Sequence, residues 1–483
     1  MTTTNPYRPI QKIALAVGPL TFLILYNLPF TLINPAADNV IALASWMIVW
    51  WVTEAVSISV TALIPLTLFP LLGIADMKTV AASYGSPIVF LFFGGFVMAL
   101  ALEKVNLHRR IALTIIRITG TTPDRVILGF MIATAFLSMW ISNTATTVVM
   151  LPIALSVIQL LIDDEDGFTR ADRNFALSIM LGIAYAANIG GIATIIGTPP
   201  NTVMAGFVEN EYGIQLSFLN WMVMGIPFSS FMLGLAYWIM VKWIYPNGLG
   251  SRRDSRELIQ HELEKLGPIQ DTEKRVIIIF VITMLLWITR TYLNEWLDFL
   301  TFSDAGISML AAFSLFAIPF RFNQGEFSLR WEDTKKLPWG ILILFGGGLA
   351  LASAMSEAGL IKAIGEAVSQ NASLSLLVVG ALLIAIMLFA TELMSNVALV
   401  AVTAPMIAGI AMGLDMNMLH LLIPVAMASS CAFMLPMATP PNAIVFASGY
   451  IKVAEMARAG FLLNLISIAL LVGFFQFVIP LLF

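Results

Sequence analysis

The sequence predicts an all-α polytopic membrane protein, because it is rich in apolar residues, arranges them in long runs and repeats a few polar motifs. Of its 483 residues, 59% are hydrophobic and 11% are charged, whereas a soluble domain carries about 25% charged residues. Several apolar runs, among them 13–33 and 460–483, reach the roughly 20 residues that a helix needs to cross a bilayer. These runs do not alternate in polarity, which argues against a transmembrane barrel.

Three motifs occur twice along the chain in the same order. The stretch SNTATTVVMLPIA (142–154) resembles SNVALVAVTAPMIA (395–408), and IGTPPNTV (196–203) resembles MATPPNAI (437–444). Each set follows a glycine-bearing run, LFFGGFVMALALEKVNL (91–107) or ILFGGGLALASAMSEAGL (343–360). Corresponding positions are 253 apart in the SNT/SNV pair but 241 apart in the TPPN pair, because a polar insert at 163–173 has no counterpart. The chain is therefore predicted to be a duplicated unit.

The SNT and SNV motifs lie in two apolar stretches, 126–162 and 373–412. Each stretch is short for two full spans with a turn, so we predict two re-entrant helical hairpins and about 11 transmembrane helices. With this topology 22 of the 25 Lys and Arg residues fall on one side of the membrane, which the positive-inside rule assigns to the cytoplasm. The N-terminus is then cytoplasmic and the C-terminus outside. The hairpins enter from opposite sides, an inverted repeat typical of secondary transporters with a midplane substrate site.

The hairpin tips concentrate polar groups where the backbone must change direction. Non-helical backbone at membrane depth is tolerated only inside protein or beside a wet cavity. The first N–H groups of the new helix attract anions, whereas exposed carbonyl oxygens suit a small cation. An isolated Ser-Asn-Thr most often only joins helices, at about 0.6 kcal/mol per hydrogen bond. The mirrored second copy favours a binding site instead.

The two TPPN motifs predict breaks in two further helices. Consecutive prolines remove two backbone donors and clash with the preceding turn. The carbonyl groups around Gly197, Thr198, Ala438 and Thr439 are therefore free within otherwise apolar segments. One copy alone could be an ordinary proline kink. Two copies, each following its hairpin, predict a pair of discontinuous helices.

Glu392 lies three residues before Ser395 in an apolar run, and an intramembrane acid is a functional candidate by default. We favour a structural, hydrogen-bonded role over a proton carrier, because Met139 occupies the equivalent position in the first hairpin. No enzyme is predicted. The sequence has no phosphate-binding Gly-x-x-x-x-Gly-Lys motif, its three histidines are scattered, and no Cys/His cluster suits a transition metal.

Paired Ser-Asn-Thr tips, each followed by a Thr-Pro-Pro-Asn break, resemble the divalent anion:sodium symporter family, which includes bacterial sodium-coupled dicarboxylate transporters. The resemblance spans nearly the whole chain. It implies that Na⁺ is the coupling ion, that there is no other cofactor, and that the protein is a homodimer in membrane lipid with no nucleic-acid partner. It also implies an elevator mechanism, in which a transport domain moves against a fixed scaffold domain.

The resemblance implies the following sites. Substrate carboxylates would contact Ser142, Asn143, Thr144, Ser395, Asn396 and Thr439, and our predicted substrate-binding set also includes Thr198, Val397 and Pro440. The first Na⁺ would bind Ser138, Ser142, Asn143 and the Gly197 carbonyl, and the second would bind Thr391, Ser395, Asn396 and the Ala438 carbonyl.

The resemblance also implies domain boundaries. The scaffold would comprise 1–125 and 276–370, and the transport domain would comprise 126–245 and 371–483, with a cytoplasmic loop at 246–275. Within the transport domain we expect the hairpins 126–162 and 373–412 and the broken helices 175–205 and 418–450.

Val397 departs from the family pattern, because the second tip often carries threonine there. One hydroxyl contact to substrate is therefore missing, and citrate stays open beside the C4-dicarboxylates succinate, malate and fumarate. Neither cation neighbourhood contains Lys or Arg, which favours sodium symport over sodium-independent dicarboxylate or citrate exchange. An anion channel is a further alternative. We expect the protein in the cell (inner) membrane as a multi-pass importer.

Overall fold

The computed structural model describes residues 9–28, 31, 33–120, 122–161, 169–249, 254–297, 300–321, 326–371 and 375–482. Within them the chain is almost entirely helical, which confirms the predicted all-α class. The only regular strands in these ranges are β1 (Pro319–Arg321) and β2 (Glu326–Phe327), which pair antiparallel. Arg8, insert residues 163–168 and hairpin residues 162, 373 and 374 lie outside the described ranges.

Five helices precede the repeated region. They are α1 (Pro9–Tyr26), α2 (Pro35–Thr53), α3 (Ile58–Thr61), α4 (Ile64–Leu71) and α5 (Met77–Tyr84). Helix α5 begins where the Asp76 carboxylate accepts a hydrogen bond from the Thr79 N–H at 2.7 Å. Such an N-cap satisfies one of the N–H groups that the first turn leaves unpaired.

The first half of the repeated region, residues 87–244, contains seven helices and ends in a π-helical turn. They are α6 (Pro87–Lys104), α7 (Leu107–Thr119), α8 (Pro123–Ser138), α9 (Asn143–Leu161), α10 (Arg170–Ile192), α11 (Pro199–Tyr212), α12 (Phe218–Trp238) and the turn Ile239–Ile244. Three of these helices start with proline, whose fixed φ suits the first helical position and whose missing N–H has no partner there in any case.

The connecting segment contains three helices before the strand pair and a 3-10 turn after it. They are α13 (Asp254–Lys265), α14 (Asp271–Trp296), α15 (Asp304–Ala317) and the turn Trp331–Lys336. Helix α13 lies within the predicted cytoplasmic loop and is tied to α7 by an ion pair between Glu262 and Arg109. A hydrogen bond from Lys265, with the charge of Arg109, lowers the pKa of Glu262. Helix α14 begins before the predicted loop end at 275, because Glu273 accepts from the Gln270 N–H at 3.1 Å and caps the helix.

The second half, residues 339–481, repeats the order of the first. It contains α16 (Trp339–Glu357), α17 (Leu360–Asn371), α18 (Leu376–Ala390), α19 (Asn396–Gly413), α20 (Met418–Ser429), α21 (Pro440–Phe446), α22 (Val453–Phe477) and the 3-10 turn Ile479–Leu481. The stretches predicted as hairpins correspond to α8 with α9 and to α18 with α19. The stretches predicted as broken helices correspond to α10 with α11 and to α20 with α21.

The two halves pack against each other around α10, which is buried along its apolar length. Helix α9 packs against α21 of the second half, and α19 packs against α11 of the first. The glycine runs permit close packing: a Cβ atom on Gly94 would lie 2.2 Å from the Ser308 Oγ, and one on Gly347 would lie 2.3 Å from the Ala62 carbonyl oxygen. The second arm of each hairpin, α9 or α19, contacts the broken helix of the opposite half.

Among the described residues, nine helices are long and apolar enough to cross a membrane, and five apolar helical segments are shorter. The shorter segments include the hairpin helices α9 and α18 and the broken-helix segment α20. A multi-pass arrangement follows from these lengths. The number of about 11 spans and the domain boundaries stay predictions.

Candidate functional site

The first hairpin tip is a short turn between α8 and α9. The Ser142 hydroxyl oxygen accepts from the Ala145 N–H at 3.2 Å, so Ser142 starts α9. The Ser138 hydroxyl, at the end of α8, donates to Asn143 Oδ1 at 2.5 Å. This bond orients the Asn143 amide, since its oxygen faces Ser138 and its NH₂ group points elsewhere. Three residues of the predicted first cation site are therefore together.

The second tip has the same arrangement 253 positions later. The Ser395 hydroxyl oxygen accepts from the Ala398 N–H at 3.5 Å, and the Thr391 hydroxyl contacts Asn396 Oδ1 at 2.7 Å. Ser138 and Thr391 are both completely buried. The predicted pairing of Thr391 with the second tip is therefore observed, with threonine replacing serine.

Both tips present hydrogen-bond donors that the described part of the chain does not use. The backbone N–H groups of Asn143 and Thr144 make no hydrogen bond there, nor do those of Asn396 and Val397, nor the NH₂ groups of the two asparagines. Thr144 is exposed and the other three residues are half-buried. Unpaired N–H groups at a helix start, together with amide NH₂ groups, suit a carboxylate.

The first helix break is closed by Asn201, which sequence reasoning did not single out. Its Nδ2 donates to the Thr194 carbonyl at 2.9 Å and lies 3.4 Å from the Gly191 carbonyl oxygen. The side chain is completely buried. Asn201 therefore pairs carbonyl groups that the interruption between α10 and α11 would otherwise leave without donors.

Asn442 closes the second break in the same way. Its Nδ2 donates to the carbonyls of Ala432 and Leu435, both at 3.1 Å. These partners are 241 positions beyond those of Asn201, which is the spacing of the TPPN motifs. The Oδ1 atoms of Asn201 and Asn442 are buried and have no hydrogen-bond partner among the described residues. The final asparagine of each TPPN motif was the sequence signal for this role.

Asn143 and Gly197, predicted ligands of the first cation, meet beside Gly191. A Cβ atom on Gly191 would lie 2.7 Å from Asn143 Oδ1 and 3.2 Å from the Gly197 carbonyl oxygen. The space beside Gly191 is therefore lined by two neutral oxygens and by the Asn143 amide nitrogen, which lies 3.1 Å from the same point. In the second half the equivalent position is Ala432, which has a side chain.

The remaining predicted site residues lie at the two breaks. Thr439 precedes α21, and its hydroxyl oxygen accepts from the Asn442 N–H at 3.4 Å. Thr198 precedes α11 without such a bond. Ala438 and Thr439 are buried, whereas Pro440 is exposed. No contact joins Ala438 directly to the Asn396 side chain among the described hydrogen bonds, so its place in the second cation site stays a prediction.

Glu392 is buried at the second tip and is fully hydrogen-bonded. One carboxylate oxygen accepts from the N–H groups of Phe433 and Met434 at 2.8 and 2.9 Å and from Asn464 Nδ2 at 2.7 Å. The other accepts from the Leu435 N–H at 3.1 Å. These bonds favour the structural role predicted for Glu392, with backbone amides rather than a basic side chain as its partners.

The chemistry of the tips suits a hard monovalent cation and an anion. Hydroxyl, amide and carbonyl oxygens are ligands for hard cations such as Na⁺ and are poor ligands for softer metals. In the described part of the chain no group of three or more His, Cys, Asp or Glu residues is placed to hold a metal ion. The hydrogen bonds of both tips involve no Lys or Arg.

Comparison with solved structures identifies transporters of similar fold. The YdaH transporter of Alcanivorax borkumensis has a TM-score of 0.56 at 13% identity, with 98% of this chain and 100% of that chain covered. The MtrF protein of Neisseria gonorrhoeae, described as an antimetabolite efflux pump, has a TM-score of 0.53 at 14% identity, with 96% and 92% covered. At such low identity the similarity concerns the fold alone.

Comparison of sequences gives closer relatives. The sodium-dependent dicarboxylate transporter SdcS of Staphylococcus saprophyticus is 40% identical over 98% of this chain and 92% of its own length. The protein of the same name from Staphylococcus aureus is 39% identical over 99% and 92%. The family profile described as the sodium:sulfate symporter transmembrane region matches residues 11–483. The chain therefore belongs to the sodium:sulfate symporter family, the divalent anion:sodium symporters that its paired tips and helix breaks resemble.

Proposed function

We propose that the protein is a sodium-coupled symporter that imports a C4-dicarboxylate such as succinate, malate or fumarate. The observation that carries this proposal is the pair of equivalent tips. Each has an asparagine oxygen within hydrogen-bond distance of a hydroxyl group and unused N–H donors at the helix start. The oxygens suit Na⁺ and the donors suit carboxylates. Relatives named sodium-dependent dicarboxylate transporters support the same substrate and ion.

Charge balance gives the coupling a physical reason. A dicarboxylate carries two negative charges, and no Lys or Arg takes part in the hydrogen bonds of either tip. Burying an uncompensated dianion away from water is strongly unfavourable. Two Na⁺ ions bound beside the substrate would neutralise it. We therefore place one Na⁺ with Ser138, Ser142, Asn143 and Gly197, and the other with Thr391, Ser395, Asn396 and Ala438.

We also propose an elevator-type movement. The contacts of α9 with α21 and of α19 with α11 join the two halves of the predicted transport domain, as movement of that domain as one body requires, while α19 also packs against α16 and α17 of the predicted scaffold. The homodimer, the inverted repeat and the inner-membrane location with a cytoplasmic N-terminus belong to the same proposal. The bias of Lys and Arg to one side supports the orientation.

The test is uptake by purified protein in liposomes. An inward Na⁺ gradient should drive accumulation of labelled succinate, and malate and fumarate should compete with it. Replacing Na⁺ by K⁺ at the same ionic strength should remove the uptake. Equal uptake in the two salts would contradict sodium coupling.

Uptake that appears only when liposomes are preloaded with a carboxylate would select the alternative, sodium-independent dicarboxylate or citrate exchange. The valine at position 397 is the observation that keeps citrate in the competitor panel, since one hydroxyl contact to a dicarboxylate is absent there.

The site assignment predicts that Asn143→Ala and Asn396→Ala each abolish coupled uptake, because each removes a cation oxygen and a substrate donor. Recovery of folded protein should change little, since both side chains are only half-buried. Asn220→Ala, which alters an exposed asparagine in the first turn of α12, is the matched control and should transport normally. Normal transport by both tip variants would contradict the assignment.

A further inference from the structure

Asn188 joins the two halves at the centre of the protein. It lies in α10 of the first half and is 1% exposed. Its Nδ2 donates to the Ala432 carbonyl and to Thr439 Oγ1, both at 3.1 Å. Both acceptors belong to the break of the second half, so one amide of the first half holds the loop that begins α21.

The hydroxyl group of Thr439 therefore has little acceptor capacity left. A threonine hydroxyl has two acceptor lone pairs and one proton to donate. Its oxygen accepts from Asn188 Nδ2 at 3.1 Å and from the Asn442 N–H at 3.4 Å. What remains is the O–H proton, for which the described part of the chain supplies no acceptor. Thr439 is thus fixed as a hydrogen-bond donor.

The equivalent threonine of the first half is not fixed in this way. Thr198 caps α11 without a bond from its side chain to the first-turn N–H groups. The residue equivalent to Asn188 in the second half is Ser429, 241 positions later, and its hydroxyl donates to the Ala426 carbonyl of its own helix. The second half therefore has a hydrogen bond that restrains its break threonine, Thr439, whereas the first half has none to the Thr198 hydroxyl among the described residues.

We propose that Asn188 is a positioning residue for substrate, which fixes the Thr439 hydroxyl as a donor to a substrate carboxylate. This inference rests on the proposed function and deepens it. An ionised carboxylate only accepts hydrogen bonds, so a fixed donor recognises it without a cost of reorientation. A cation needs an oxygen lone pair, and those of Thr439 Oγ1 are already used. Thr439 thus serves the anion and is no ligand of Na⁺.

The test compares Asn188→Leu, Thr439→Val and the double variant in succinate uptake by proteoliposomes. Leucine has nearly the size of asparagine but donates no hydrogen bond. A hydrogen bond to a charged group is stronger than one between neutral groups, so removing its fixed geometry should raise the KM for succinate about tenfold. The kcat and the Na⁺ concentration for half-maximal uptake at saturating succinate should change less than about twofold. Ser178→Ala, which alters another buried polar residue of α10, should resemble the wild type.

The double variant separates positioning from packing. If Asn188 acts through Thr439, the double variant should have the KM of Thr439→Val alone, because independent effects would add. Additive effects, an unchanged KM in Asn188→Leu, or an equal loss of Na⁺ affinity would overturn the inference. If Asn188→Leu does not fold, Asn188→Ala, which removes the amide donor without adding a charge, takes its place. Failure of both to fold would make Asn188 a structural residue and also overturn it.

The same variants distinguish this inference from the proposed function. If Thr439→Val transports succinate normally, Thr439 does not face the substrate and the proposed site is wrong. If Thr439→Val raises the KM but Asn188→Leu does not, the site stands and only the role of Asn188 is wrong.

Discussion

The two hairpin tips share one hydrogen-bond pattern but differ in charge. In the first, the Ser138 hydroxyl donates to Asn143 Oδ1, and in the second, the Thr391 hydroxyl contacts Asn396 Oδ1. The residue after Ser138 is Met139, whereas the residue after Thr391 is Glu392. The shared pattern indicates a common function for the tips. The buried carboxylate indicates that the two proposed cation sites are electrostatically unequal.

The carboxylate also changes where a helix ends. Helix α10 continues to Ile192, whereas α20 stops at Ser429, although the two occupy equivalent places in the repeat. Glu392 accepts from the N–H groups of residues 433–435, which therefore do not continue the helix. The Thr391 hydroxyl meanwhile contacts the Ser429 carbonyl at 2.6 Å. One acid thus unwinds the second break further and leaves a fixed negative charge next to Thr391, a predicted ligand of the second cation.

The largest effect is expected from removing that acid. Glu392→Met copies the first tip but leaves four donors without an acceptor, each at a cost of about 1–3 kcal/mol. The total is comparable to the whole stability of a typical domain, about 5–15 kcal/mol, so little folded protein should be recovered. Glu392→Gln should fold with a lowered unfolding temperature and bind Na⁺ more weakly.

The measurement is recovery by size-exclusion chromatography and thermal unfolding in detergent, with and without Na⁺. Met139→Leu, a conservative change at the equivalent position of the first tip, is the matched control and should resemble the wild type. A Glu392→Met protein as stable as the wild type would contradict the conclusion that the second tip depends on its buried carboxylate.

A smaller effect is expected from giving the first half the methyl group that the second half has at Ala432. In Gly191→Ala the new Cβ would lie 2.7 Å from Asn143 Oδ1 and 3.2 Å from the Gly197 carbonyl oxygen, in the space proposed for the first Na⁺. The Na⁺ concentration for half-maximal uptake should rise about tenfold or more, a loss of about 1.4 kcal/mol or more in binding.

The control for this variant is Gly234→Ala in α12, where an added Cβ would meet no atom within 4 Å. It should transport with normal Na⁺ dependence. If Gly191→Ala also transports with normal Na⁺ dependence, the first cation does not lie beside Gly191.

The smallest effect is expected at the second residue of each tip helix, where Thr144 of the first tip corresponds to Val397 of the second. Thr144→Val should raise the KM for succinate about threefold to tenfold, since it removes an exposed hydroxyl donor. Val397→Thr should shift the preference among succinate, malate and citrate about twofold to fivefold and leave sodium dependence intact. Competition of these acids against labelled succinate measures both. No shift in either variant would mean that these positions do not contact the substrate.

The sequence predicts the helical class and the local geometry of the tips well. The resemblance to the family implied that Ser138 and Thr391, each four residues before a tip serine, belong to the tips, and each hydroxyl contacts the asparagine that follows that serine. The contacts between distant segments could not be predicted. Asn188 and Thr439 are 251 positions apart, and their meeting depends on how α10 packs against the second break. The partners of Glu392 depend on the same packing, since isolated backbone N–H groups carry no sequence signal.

The most direct test of the central claim is equilibrium binding of labelled succinate to purified protein as the Na⁺ concentration varies at constant ionic strength. If two Na⁺ ions bind with the dianion, linkage requires that succinate affinity rise with about the second power of the Na⁺ concentration. Asn143→Ala and Asn396→Ala should each reduce that dependence. Succinate affinity that stays the same when K⁺ replaces Na⁺ would contradict the account, because no bound cation would then neutralise the substrate at the two tips.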